Sequence, residues 1–229
     1  MSISKTKNKS RILEDTLPEH EIVNNRYYFF LKRGFDIVGA TIGLLLCCPL
    51  FLFISLFYLT GDQKGPVFFK QKRIGHNGNL FYIYKFRSMV INAEEKLKAN
   101  KGLYNKYIQN NYKLEANEDP RITKIGRFLR QTSLDELPQL INVLKGEMTL
   151  VGPRPVVEEE LKEYGEKKAL FLSVKPGVTG YWQASGRSEV GYPERVEVEL
   201  YYINNQSFSF DIKIVLLTIY SVLIKKGAY

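Results

Sequence analysis

Histidine and cysteine are nearly missing from this 229-residue sequence, with two of each. Cys47 and Cys48 are adjacent, which excludes a disulfide framework and a cysteine-rich zinc site. His20 and His76 do not make a multi-histidine metal centre, and a catalytic triad would need one of them to do all the base chemistry. Neither GxxxxGK[ST] nor GxGxxG occurs, so a P-loop or Rossmann nucleotide site is not supported. Internal repeats and low-complexity tracts are also lacking. The composition is that of a folded chain, 45% hydrophobic and 25% charged, which excludes wholesale disorder. The length suffices to bury a core without disulfides. Lys and Arg number 33 against 24 Asp and Glu, a net charge of +9.

Residues 37–59 read IVGATIGLLLCCPLFLFISLFYL and carry no charge. As a helix they would extend roughly 35 Å, enough to cross a bilayer core. The run is too long and too far from Met1 for a signal peptide, so membrane embedding is expected. Pro49 lies near its middle, where it removes a backbone hydrogen bond. Both flanks are basic: Lys32 and Arg33 precede the run, and Lys64, Lys70, Lys72 and Arg73 follow it. A cationic flank favours the cytoplasmic face. Two such flanks favour a segment that turns back at Pro49, with a kinked spanning helix as the alternative. Cys47 and Cys48 read as small, soft packing residues.

Residues 1–31 are polar and read as an arm, with a short helix near residues 25–32. Residues 62–89 hold six Lys or Arg and one Asp, more than half of the excess charge. Their runs FFKQKRIG and LFYIYKFRSM alternate as two strands joined at His76-Asn77-Gly78-Asn79, where the Asn-Gly step favours a hairpin turn. Residues 91–118 read as a solvated helix and a loop. Helical spacing marks residues 121–130 and 133–145, the second ended by Gly146. Residues 175–187 are punctuated by Pro176, Gly177, Gly180 and Gly186 and read as loop or short strand. Residues 211–226 form an apolar helix suited to lie on membrane or core.

Four groups offer chemistry. Asp135 and Glu136 stand in QTSLDELPQL. Ser133 and Glu136 have capping-box spacing, so a helix cap competes with a chemical role; Pro138 costs little only if Asp135 is the N-cap. Pro153 and Pro155 clamp Arg154 in a stiff, extended presentation suited to phosphate. Lys85 and Arg87 lie on the basic strand, where attraction to anionic lipid is the competing explanation. GVTGYWQASGR combines close-approach glycines with Tyr181 and Trp182, which serve equally as core plugs or stacking platforms.

These segments resemble, in order, the bacterial sugar transferase family, the monotopic polyprenyl-phosphate glycosyl-1-phosphate transferases. The matching stretches are KRGFDIVGA, PVFFKQKRIGHNG, FYIYKFRSM, DPRITKIGRFLRQTSLDELPQLINVLKGEMTLVGPRP, KPGVTGYWQASGR and DIKIVLLT. They run over residues 32–218, and the stretch over residues 119–155 is the most specific. The resemblance implies an α+β fold with three parts. These are the polar arm (1–31), a re-entrant membrane helix broken at Pro49 (32–60), and a mainly helical cytoplasmic domain with a small β-hairpin and interfacial helices (61–229). It further implies residence at the bacterial inner membrane, with the catalytic domain on the cytoplasmic face.

The implied reaction moves a sugar-1-phosphate from a UDP-sugar to undecaprenyl phosphate and releases UMP, beginning a capsule, exopolysaccharide, O-antigen or glycoconjugate. By resemblance Asp135 is the nucleophile, Glu136 its partner, and both are placed at Mg²⁺, with Glu136 the preferred ligand. Lys85, Arg130 and Arg154 would stabilise phosphate charge, and Arg187 would face nucleotide or sugar. Downstream glycosyltransferases and self-association are compatible with this reading; nucleic acid is not an expected partner. The chain resembles the family's minimal catalytic form.

Departures from the family pattern are local. Cys48-Pro49 replaces a Ser-Pro step at the membrane break. Glu199 and Gln206 stand where many members have an Asp and a Trp. Residues 91–118 are longer than in the smallest members. Ser185-Gly186-Arg187 replaces the Asn-Gly-Arg often seen with N-acetylated sugars, which favours a hexose such as galactose or glucose over a UDP-N-acetyl-sugar. A membrane-tethered binding or scaffold module without catalysis is the competing class.

Overall fold

The computed structural model describes residues 26–110, 114, 118–185 and 190–223, without the side chains of residues 62 and 223. Most of the expected polar arm lies outside these residues, as does Arg187.

Helix α1 (Arg26–Leu56) opens the described chain. The short helix expected near residues 25–32 and the apolar run are thus one element, and the helix continues through Pro49 rather than breaking there as expected. Cys48 is exposed on its surface and Cys47 half-buried. One face of α1 docks along the rest of the protein. Lys32 Nζ donates to Val151 O at 2.9 Å and pairs with Asp211 at 2.6 Å. Arg33 donates to Val143 O and Leu144 O. Asp36 accepts from the Leu150 amide and the Thr149 hydroxyl. Ala40 packs with Phe81, Ile83, Leu140, Val143 and Met148. Further on, Ile54 and Tyr58 pack with Phe86 and Leu129. The opposite face exposes Ile42, Leu45, Leu46, Leu52, Phe53 and Leu56. Among the described residues α1 is the one helix long and apolar enough to cross a membrane.

Strands β1 (Phe68–Ile74) and β2 (Leu80–Phe86) form the expected antiparallel hairpin, in the register Phe68 to Phe86 through Ile74 to Leu80. The turn uses left-handed Asn77 and Gly78, at φ 55° and 75°, as an Asn-Gly step prefers. Two short helices follow, α2 (Ala93–Ala99) and α3 (Lys101–Gln109), where one helix and a loop were expected. Helix α4 (Lys124–Gln131) begins with Thr123 accepting from the Gly126 amide. The helix expected over residues 133–145 is divided. A 3₁₀ turn (Leu134–Glu136) comes first, then α5 (Gln139–Lys145) with Pro138 at its N-cap. Placed there, proline forfeits no helical hydrogen bond. Gly146, at φ 78°, ends α5 in the left-handed region that glycine occupies without a Cβ penalty.

Strand β3 (Thr149–Val151) pairs in parallel with β4 (Gly177–Thr179). The backbones approach so closely here that a Cβ on Gly177 would collide with Gly152. Between these strands run α6 (Glu158–Leu161), a 3₁₀ segment (Lys162–Lys167) and α7 (Lys168–Leu172). After β4 come α8 (Tyr181–Ser185), α9 (Glu194–Asn204) and α10 (Phe208–Leu223). Of the loop or short strand expected over residues 175–187, the strand is present as β4, and Tyr181–Ser185 is a short helix instead. The largest core cluster joins Val151, Val156, Leu161, Tyr164, Phe171, Leu200, Tyr202 and Ile214. Among the described residues the architecture is mixed α and β, with two small two-stranded sheets rather than the single hairpin expected.

Candidate active site

Asp135 and Glu136 lie on the 3₁₀ turn between α4 and α5. Ser133 enters that turn in the left-handed region, at φ 56°, a conformation that costs a non-glycine residue about 1–2 kcal/mol. Neither Ser133 nor Pro138 makes a side-chain cap, so the capping-box reading of Ser133 and Glu136 does not hold. The turn instead separates the two carboxylates. Asp135 is buried, at 7% exposure. Glu136 lines a narrow cleft with Arg73, Lys85, Gln139, Arg154 and Gln183.

The electrostatics of the pair follow from that separation. Glu136 Oε1 accepts from Lys85 Nζ at 2.7 Å and Arg154 Nη1 at 3.5 Å. Burial raises the Asp135 carboxyl to about 6. Lys85 opposes that rise and Glu136 adds to it; Arg130 and Arg154 act in the same sense as Lys85. Burial also pushes the Lys85 ammonium down, against the pull of Glu136. A carboxylate desolvated by its surroundings is a better nucleophile than a hydrated one, provided cations offset its charge.

The GPRP loop that presents Arg154 is pinned from both sides. Ile74 at the end of β1 donates to Val156 O at 3.0 Å. Arg73 donates to Pro155 O at 3.1 Å and pairs with Glu160 at 3.3 Å. From the other side, Glu199 on α9 accepts the Arg154 amide at 3.2 Å. Glu199 is 1% exposed and also accepts from the Tyr164 hydroxyl and Arg195 Nε. Burial and Glu199 push the Tyr164 hydroxyl far up. The Arg195 guanidinium stacks over Trp182 and Tyr192. Trp182 is thus a buried core plug rather than an exposed stacking platform.

The chain at the end of α1 reaches the same place. Leu134, one residue before Asp135, packs into the cluster of Ile54, Tyr58, Phe86 and Leu129. The Tyr58 hydroxyl donates to Arg87 O at 2.6 Å. Arg87 binds Pro66 O and Gln63 O, fastening the segment after α1 rather than facing the cleft.

Of the predicted residues, the structure therefore gathers Asp135, Glu136, Lys85 and Arg154, with Arg130 within electrostatic reach of Asp135. Arg187 lies outside the described residues. Sequence reasoning did not place Arg73, Gln139, Gln183 or Glu160 at the site. Arg73 was hidden within a run of cations, and Glu160 within a run of acids. Glu199 was noted as a departure from a motif; its connection to Arg154 spans 45 residues.

A long apolar helix docked on a small α+β domain, with a cationic cleft and a buried carboxylate beside the junction, is an arrangement suited to holding anionic groups. Residues 27–225 match the bacterial sugar transferase family, and the chain belongs to that family. It is 47% identical over 203 residues to the undecaprenyl-phosphate galactose phosphotransferase of Salmonella typhimurium, covering 87% of this chain and 42% of that protein. It is 46% identical over 204 residues to the galactosyl transferase CpsE of Streptococcus agalactiae, covering 88% of this chain and 44% of CpsE. The exopolysaccharide production protein ExoY of Rhizobium meliloti is 44% identical over 202 residues, covering 86% of this chain and 88% of ExoY. The chain thus spans less than half the length of the first two relatives.

Proposed function

We propose that the protein is a membrane-bound phosphoglycosyl transferase that moves a hexose-1-phosphate from a UDP-hexose to undecaprenyl phosphate. The observation that carries this reading is the buried Asp135 carboxyl, set among Lys85, Arg130 and Arg154 next to the membrane helix. An Asp135 oxygen attacks the sugar-bearing phosphorus. The bond from that phosphorus to the bridging oxygen breaks, and UMP departs with the electron pair. A phosphoglycosyl-aspartate remains. An oxygen of undecaprenyl phosphate then attacks the same phosphorus and expels the Asp135 carboxylate. The sugar C1–O bond stays intact, so anomeric configuration is kept. Lys85 and Arg154 offset charge on the phosphates during both displacements. The relatives named for galactose support a hexose donor; a UDP-N-acetyl-sugar is the alternative.

The donor set fits Mg²⁺ only as a shared site. No group of three His, Cys, Asp or Glu is gathered among the described residues. Mg²⁺ commonly uses one or two carboxylates with substrate phosphates and water. Glu136, with Asp135 beside it, would hold the ion, which when bound would neutralise diphosphate charge.

The docking of α1 supports a re-entrant disposition. Residues from Lys32 to Tyr58 contact the same domain, and a helix crossing the bilayer would carry one end away from it. The exposed apolar face of α1 is then the lipid contact, with the active site on the cytoplasmic side. The reaction is tested with a panel of UDP-sugars and undecaprenyl phosphate in nanodiscs. UMP release with a UDP-hexose, lost in Asp135→Asn, is expected. Near-normal turnover in Asp135→Asn would contradict the nucleophile assignment.

A further inference from the structure

We infer that Glu136 holds, in the donor-free protein, the place on Lys85 and Arg154 that a phosphate oxygen takes, so that donor binding exchanges one anion for another. The inference rests on the phosphoglycosyl-transfer reading and concerns how that site fills.

Three observations carry it. Lys85 Nζ and Arg154 Nη1 converge on one oxygen, Glu136 Oε1, at 2.7 and 3.5 Å. The three residues come from β2, the 3₁₀ turn and the GPRP loop, so local chain geometry does not force the convergence. All three also line the same cleft, and Arg73 joins them there. The carboxylate therefore lies among the cations that an entering diphosphate must reach.

The third observation is exposure. The Glu136 and Arg154 side chains are 25% and 29% exposed, so water weakens their attraction and the pair can exchange. Glu199 and Arg195 nearby are 1% and 3% exposed; that pair is fixed. A diphosphate has more charge than one carboxylate and offers paired oxygens to a guanidinium, so it displaces Glu136 rather than adding to it. The displaced carboxylate then faces the diphosphate and is available to a divalent cation. The cation enters with the donor rather than before it, and by linkage each strengthens the other's binding.

The test uses UDP on Asp135→Asn protein, which cannot turn over, in EDTA by calorimetry. The companion protein is Asp135→Asn/Glu136→Gln. UDP binds about tenfold tighter to the companion, because the resident anion is gone. Unchanged or weaker binding overturns the exchange. A second readout does not depend on that variant. Mn²⁺ titrated by electron paramagnetic resonance into nucleotide-free Lys85→Met protein binds more tightly than to wild type, because Glu136 has lost its stronger partner. Equal or weaker Mn²⁺ binding contradicts the inference. UMP release by wild type is scored separately: if it is present while Glu136→Gln fails to tighten UDP, the exchange is wrong and the transfer reading stands.

Discussion

Asp135 is under two opposing demands. The proposed attack on phosphorus needs its carboxylate ionised and poorly hydrated, whereas folding penalises that combination. Burial raises the group to about 6, against an ordinary value near 3.9. The folded protein thus takes up this proton before the unfolded chain does. Above pH 6 the buried charge is destabilising by up to about 3 kcal/mol, and the penalty fades as pH falls toward 4. Asp135→Asn should therefore melt at a higher temperature than wild type at pH 7.5, in the absence of nucleotide and divalent ions. The difference should close by pH 4. A calorimetric pair of pH series checks this; a variant less stable at pH 7.5 would mean the carboxylate is stabilising. Glu199 makes the opposite case. Its charge is matched by Arg195, the Tyr164 hydroxyl and the Arg154 amide. Glu199→Gln leaves Arg195 buried with a weakened partner and should cost about 3–5 kcal/mol. It should also raise the KM for UDP-sugar, since Arg154 loses its support. Thermal melts and steady-state kinetics measure the two effects.

Among the elements, α1 shows how a long apolar helix is tied to a polar domain. Lys32 is buried and meets Asp211 on α10, which also accepts from the hydroxyls of Tyr28 and Tyr202. Lys32→Met would leave that carboxylate buried without its cation and should destabilise by about 3–5 kcal/mol. Lys32→Met/Asp211→Leu should recover much of the loss, as measured by denaturant melts in detergent. This attachment was not legible in the sequence, because its partners are 179 residues apart. The hairpin was legible because alternation and an Asn-Gly turn are local signals. β3 was not, and β4 only as the short-strand alternative to a loop, since three-residue strands are too short to show a period. Two carboxylates after a serine resembled a cap, and only the left-handed Ser133 and the start of α5 after Pro138 show a turn that does not serve as one.

At the scale of the whole molecule, the long apolar helix, the cleft and the proposed nucleophile form one arrangement. Leu134 ties the turn that carries Asp135 to the cluster that includes Ile54 and Tyr58, and in the proposed reaction this would bring aqueous donor and lipid acceptor to a common place. If α1 turns back as proposed, an exposed residue beyond it remains cytoplasmic. Lys64→Cys in inverted and right-side-out vesicles should react with an impermeant maleimide only from the cytoplasmic side, and reaction from the outside would establish a crossing helix. The family was legible in the sequence from residues 119–155, and the site's four central residues followed from it. The support around Arg154 was not, because it is assembled from β1, α6 and α9.

The most direct measurement is mass spectrometry of wild-type protein mixed with UDP-hexose alone and quenched in acid. The account predicts an adduct of one hexose phosphate on the peptide containing Asp135, chased away when undecaprenyl phosphate is added. A preparation that turns over yet carries no such adduct on Asp135 would contradict it.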